Sequence, residues 1–168
     1  EDERFFNEKF LLAPAIFANN DLKYETNKLR SERYASYTKQ DVTYVIAKDT
    51  VTPDALRERP DLPAQKMQWL ARHDRECGNL YGIVPLVEGM PVALAEHLDR
   101  SVDKQLLRGK VGYIDSWILH DDERSQLENG KRPLQKLPQV VFVKFYNSDG
   151  SDVKWKLDSL DEPGLYHI

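Results

Sequence analysis

The chain has 168 residues, 40% of them apolar and 31% charged, with a mean hydropathy of −0.63; that allows one domain or one domain plus a small module. No apolar run approaches the roughly 18 residues a membrane-crossing helix needs. The opening Glu1-Asp2-Glu3 is unlike an export signal, and the single Cys77 excludes an intrachain disulfide, so an intracellular setting with no membrane partner is expected. With 24 basic and 28 acidic residues the net charge is −4, which excludes a uniformly basic nucleic-acid coat but not one local basic groove.

In chain order, Phe10-Leu11-Leu12-Ala13-Pro14-Ala15-Ile16-Phe17 is a short apolar run between polar residues, which predicts a strand buried on both faces. Asn19-Asn20-Asp21 is an N-cap cluster, because these side chains accept the free amide protons of a first turn. It predicts a helix from Asn20 to Ser36, with Leu22 and Leu29 on one face. Val42 to Ala47 is β-branched and aromatic and reads as a second strand. Pro53 and Arg59-Pro60-Asp61-Leu62-Pro63 punctuate a loop. A helix then runs from about Pro63 to Glu76, burying Met67, Trp69 and Leu70 and ending at Cys77-Gly78-Asn79.

From residue 80 the pattern changes to short strands: Ile83–Leu86, Met90–Leu94, Val111–Leu119, Val140–Tyr146 and Val153–Leu157. The last alternates most clearly, with Val153, Trp155 and Leu157 against Lys154, Lys156 and Asp158. Asn147-Ser148-Asp149-Gly150-Ser151 is a hairpin loop between the final two. The expected architecture is α+β or α/β. Residues 1–80 form a strand-helix part and residues 81–168 a small, strongly bent β-barrel.

Signatures of complete catalytic sites are missing. Gly109-Lys110-Val111 and Gly130-Lys131-Arg132 lack the Ser or Thr that follows lysine in a phosphate-cradling loop, and no Gly-x-Ser-x-Gly or His-Glu-x-x-His motif occurs. His73 and Cys77 share a helix face at metal-ligand spacing, but two ligands are too few for a site. Asp121-Asp122-Glu123 reads as a solvated loop in preference to a hydrolytic carboxylate group.

Charge is unevenly spread. Residues 100–110 hold Arg100, Lys104, Arg108 and Lys110 against Asp103, whereas residues 147–168 hold five carboxylates and two lysines. Lys104, Arg108 and Lys110 on a turn between strands can bind phosphates, or can serve only to keep a hairpin tip solvated. A second anion candidate is the helix start at Asn19 and Asn20, with Asn27 further along the same helix; plain capping explains those residues as well.

Several segments, in order, resemble the PIF family of superfamily-one DNA helicases, in particular its divergent protist and Helitron-type members. Phe10 to Asn20 followed by Tyr24-Glu25-Thr26-Asn27 is similar to the strand-turn-helix that opens that family's second RecA-like domain. Leu86-Val87-Glu88-Gly89-Met90-Pro91-Val92-Ala93-Leu94 resembles its Val-Gly-x-x-Val-Met-Leu strand. Leu106-Leu107-Arg108-Gly109-Lys110-Val111-Gly112 resembles its Leu-Val-Asn-Gly-x-x-Gly turn, with Arg108 in place of Asn. Pro138 to Phe145 is similar to the strand closing its inserted barrel, although the Ala95-Glu96-His97 continuation departs from the family's Leu-Arg-Asn.

The resemblance implies part of a RecA-like motor domain over residues 1–80 and a Src-homology-three-like barrel over 81–168. It further implies contact with the phosphate backbone of single-stranded DNA through Asn19, Asn20, Asn27, Lys104, Arg108 and Lys110. No cofactor is expected in this chain; ATP and Mg2+ would belong to a full-length parent, whose remaining helicase domains act in cis and whose location would be the nucleus or mitochondrion of a eukaryote. A peptide-binding barrel with an aromatic groove of Tyr113, Trp117 and Trp155 is the alternative.

Overall fold

A computed structural model describes Ala13, Ile16, Ala18 and residues 20–70 and 81–168. Of the expected first strand, Ala13 and Ile16 alone are described. Neither lies in a strand and Ile16 is fully exposed, against the expectation of burial on both faces.

Helix α1 spans Asn20–Thr38, two residues beyond the expected end. The Thr38 hydroxyl donates back to the Tyr34 carbonyl at 2.8 Å, and Lys39 closes the helix in the left-handed region at φ 56°. Leu22 and Leu29 do share a face, but it is the outer one; Ser31 and Ala35, on the opposite side, are buried at 4% and 2% exposure. Small residues there let the helix approach the sheet closely. Strand β1 (Val42–Ile46) follows, then α2 (Pro53–Glu58) and α3 (Leu62–Trp69). Helix α2 was not expected: the Thr52 hydroxyl accepts the Ala55 amide at 3.3 Å and Pro53 presets the first turn, so a segment rich in loop residues caps itself. Helix α3 ends at Trp69 with Leu70 as its C-cap, short of the expected Glu76, and His73 and Cys77 lie outside the described residues.

The remaining strands are β2 (Ile83–Leu86), β3 (Pro91–Ala93), β4 (Val111–Ile118), β5 (Lys131–Pro133), β6 (Val140–Lys144) and β7 (Leu165–His167). They form two small sheets, ordered β2-β1-β5 and β3-β4-β6-β7, in a mixed α+β chain. No closed barrel forms among the described residues. Strand β1 pairs antiparallel with β2 and parallel with β5, so hydrogen-bonded pairing crosses the expected division near residue 80.

Val153–Leu157, the best alternating segment, is not a ladder strand. Strand β7 occupies the free edge of β6 instead, in a pairing that continues at Phe145, whose amide donates to the Gly164 carbonyl at 2.8 Å. Val153 and Trp155 still point inward at 8% exposure each, so the alternation reports burial without pairing. The expected hairpin loop at 147–151 is present, with Gly150 at φ 82°.

Among the described residues two clusters form the core. Ala35, Val42, Leu86, Val87, Met90 and Ile114 make one; Leu94, Leu106, Val143, Phe145, Val153 and Trp155 make the other. Val92 and Val141 touch both and weld them together. A one-residue irregularity in β4, between Ile114 and Ser116, turns Ile114 and Trp117 to the same face, where both meet the first cluster. No described helix is long and apolar enough to cross a membrane.

Gly112 sits where β4 passes over the second cluster: a Cβ there would lie 2.6 Å from Val143 Cγ1 and 2.7 Å from Phe145 Cε1. Gly112→Val should therefore lower stability by about 1–3 kcal/mol, read as a fall in the denaturant midpoint with an unchanged slope. Residues 81–168 expressed alone should bind a hydrophobic dye and lose the sharp thermal transition of the full chain, because Leu86, Val87 and Met90 lose Ala35 and Val42. A cooperative transition at the full-length midpoint would instead establish residue 80 as a domain boundary.

Candidate nucleic-acid interface

The connection between β3 and β4 is a folded extension of that hairpin, not a loose tip. Leu106 is the reason: fully buried in the second cluster, it pulls the middle of the connection onto the core. Its carbonyl accepts the amides of Leu98 at 2.9 Å and Asp99 at 3.3 Å. At the base, Leu94 donates to Lys110 at 3.0 Å and Gly109 donates to Leu94 at 2.8 Å. Gly109 makes this reversal at φ 87°, a region that side chains disfavour.

On this frame the three expected basic residues have different fates. Arg108 is exposed, its backbone amide donating to His97 Nδ1 at 3.2 Å while its guanidinium has no ion-pair partner among the described residues. Lys110 is half-buried and likewise without an acidic partner among them. Lys104 is engaged: its ammonium donates to Asp99 Oδ2 at 3.0 Å, with side-chain exposures of 20% and 22%. Asp99 lies one residue before the basic run, which is why a charge tally over residues 100–110 overstates the available charge. Contacts with Ser101, and then the bond to Lys104, hold the Asp99 carboxyl down at about 2.

The other expected group is apart from this turn. Asn19 lies outside the described residues, Asn20 is the first residue of α1, and Asn27 is exposed two turns in, past the first turn where the helix dipole acts. Of the three expected cations Arg108 and Lys110, like Arg100 in the same connection, have no acidic partner among the described residues.

Two carboxylates of the acidic end meet one buried lysine. Lys144, only 6% exposed, donates to Glu162 and to the Pro163 carbonyl at 2.5 Å each and lies 3.6 Å from Asp152. Burial works most strongly to lower its pKa, but the Glu162 hydrogen bond together with the charges of Glu162 and Asp152 leaves it raised. Glu123, in the acidic run, is a loop staple: it accepts backbone amides of Ser125 at 2.8 Å, Gln135 at 3.1 Å and Lys136 at 2.7 Å. Burial opposes its ionisation, yet those amides hold it down at about 2.

Of the aromatic groove, Tyr113 is 38% exposed and meets Tyr146 edge-on at 5.8 Å. Trp155 is buried beside Phe145, so these rings do not line one open surface. Both Gly-Lys pairs lead into strands, β4 and β5, whereas a phosphate loop feeds its lysine into a helix N-terminus, so neither pair is such a loop. No three His, Cys, Asp or Glu side chains cluster as a metal site among them.

No known protein family, curated protein or solved structure matches this chain.

Arg132 is what the sequence reading missed. It enters that reading solely as the residue spoiling Gly130-Lys131 as a phosphate loop, and its place in β5 depends on a parallel pairing with a strand some ninety residues earlier. No local pattern signals it.

The Asp99–Lys104 pair gives a pH dependence. The folded carboxyl titrates at about 2, below its ordinary 3.8, so its contribution is complete above that ordinary value and is lost as pH falls from about 4 toward 2. Protection of the Ser101 and Leu98 amides relative to the free-chain exchange rate should fall over that window, and Asp99→Asn should abolish the dependence.

Proposed function

We infer that the chain is a single-strand-contacting section of a PIF-like DNA helicase, gripping the sugar–phosphate backbone through the β3–β4 turn. The observation that carries this reading is the unpaired Arg108 guanidinium, presented with Lys110 on a turn anchored by the buried Leu106. A guanidinium fixed at its backbone can hold a phosphate in two parallel hydrogen bonds with little further ordering. Such contacts grip any sequence, as translocation demands.

On this reading the strand-helix part belongs to a second RecA-like lobe, and the four-stranded sheet with its buried Leu106 hairpin to an inserted Src-homology-three-like barrel. The exposed Leu22 and Leu29 on α1 then face neighbouring parts of the motor. ATP, Mg2+ and the remaining helicase domains lie with the parent protein, intracellular and in the nucleus or mitochondrion if that parent is eukaryotic. Asn20 and Asn27 would form a second, separate contact along the strand. The peptide-groove alternative loses its third ring, since Trp155 is buried.

Binding of a fluorescent single-stranded oligonucleotide across a salt series tests this. Arg108→Glu should weaken binding about tenfold at low salt and reduce the slope of log affinity against log salt by roughly 0.7, one phosphate contact. Asp99→Asn should do the opposite, freeing Lys104 and steepening the slope. An Arg108→Glu variant that matches wild type in affinity and slope removes the turn from the interface.

A further inference from the structure

A cavity of about 470 Å³ opens between the end of α1, β1, the β2–β3 turn, β4 and β5. Its wall includes Lys39 and Asp41 from the turn after α1, Thr43 of β1, Glu88, Trp117 of β4 and Arg132 of β5. This volume is within the range of about 300–1,000 Å³ typical of small-molecule sites.

The chemistry of that wall is specific. Arg132 Nε is buried and has no hydrogen-bond partner, and no carboxylate pairs with its guanidinium among the described residues. That nitrogen is closed to water, so a ligand in the cavity would meet the outer amino groups of the guanidinium. Asp41 and Glu88 are acceptors on the same cavity with no ion-pair partner of their own among the described residues. Two cations and two carboxylates cancel, so a bare phosphate gains little net attraction here. Half-buried Trp117 adds an aromatic wall. What matches is a flat, uncharged ring bearing acceptors along one edge and donors along another.

We propose that this cavity is a pocket for one unstacked nucleobase, guanine above the others. Its O6 and N7 accept from Arg132, the contact arginine commonly makes with guanine. Its N1–H and N2–H groups donate to a carboxylate of the Asp41 and Glu88 pair, and its face stacks on Trp117. Adenine lacks the second acceptor for Arg132, and the pyrimidines offer less stacking surface. This deepens the single-strand reading and rests on it: the basic turn holds backbone, and the cavity reads one base.

The test uses the full chain and three probes: a thymine oligonucleotide with one central guanine, the same strand with an abasic site there, and free guanosine. The guanine strand should bind about tenfold tighter than the abasic strand, and guanosine should shift the Trp117 indole N–H resonance, assigned with Trp117→Phe. Arg132→Gln should erase the guanine preference while leaving abasic binding intact. Its melting temperature should be unchanged or higher, since the side chain has no bond to lose; a merely structural Arg132 would lower it.

Equal binding of the two strands with no guanosine response overturns the pocket and leaves the backbone grip standing. A guanosine response without binding of either strand supports the pocket and overturns the single-strand reading. Loss of the preference in Arg108→Glu but not in Arg132→Gln also overturns the pocket.

Discussion

Strand β1 offers two rows of backbone donors and acceptors, and neither is satisfied by a neighbour in sequence. One edge takes β2 through the register Thr43 to Leu86, the other takes β5 through Thr43 to Arg132. Closing these loops orders long stretches of chain before any pairing is gained, so the sheet stands only when the packing around it stands too. Glu32 on α1 ties β1 to β5, accepting from the Tyr44 hydroxyl at 2.7 Å and from Lys131 at 2.9 Å. Those bonds to Lys131 and Tyr44 hold the Glu32 carboxyl below its usual range; desolvation, then Glu32, raises the Tyr44 hydroxyl. Around this strand Ala35 and Val42 meet Leu86, Met90 and Ile114, and through Val92 and Val141 the same packing supports the cluster that seats Leu106.

The net charge of −4 conceals how the charges are used. Asp99, Glu123, Asp149 and Glu162 each hold a loop or a buried lysine. Asp149, for example, accepts both the amide and the hydroxyl of Ser151, at 2.9 Å and 2.6 Å. Such bonds leave the carboxylates charged but fix where that charge sits, whereas Arg108 and Lys110 have no acidic partner among the described residues. An acidic chain can therefore present a local cationic turn without contradiction.

Most elements were legible because their residues carry the pattern locally. The β-branched Val42-Thr43-Tyr44-Val45-Ile46 and Val140-Val141-Phe142-Val143 declare strands wherever they are placed, and α1 declares itself by length and composition. Strands β5 and β7 were not legible: Lys131-Arg132-Pro133 and Leu165-Tyr166-His167 have three residues each, and pairing with remote partners makes them strands. Val153–Leu157 shows the converse, a strong alternation that reflects burial alone. At the candidate site the exposed Arg108 was legible from its turn, and the capture of Lys104 by Asp99 was not, because a hydrogen-bonded reversal and not sequence adjacency sets that contact. Gly109 and Gly112, which resemble a family motif, each have a local physical reason, one a positive φ and the other the close passage over Phe145.

Strand β4 ties these features into one geometry. Its first residue follows Lys110 directly, and Trp117 stands near its far end, so at ~3.3 Å per residue the basic turn and the aromatic wall are roughly 20 Å apart along one rigid element. Had β4 been regular, Ile114 and Trp117 would point to opposite faces. The irregularity at Asp115 sets both toward the first cluster and puts the indole beside the mouth formed by Thr43 and Arg132. Because β1 contributes Thr43 and holds β5, the pairing that organises the fold also positions Arg132. Any change that slips the β1–β5 register by one residue would turn the guanidinium to the other face of the sheet and empty that wall.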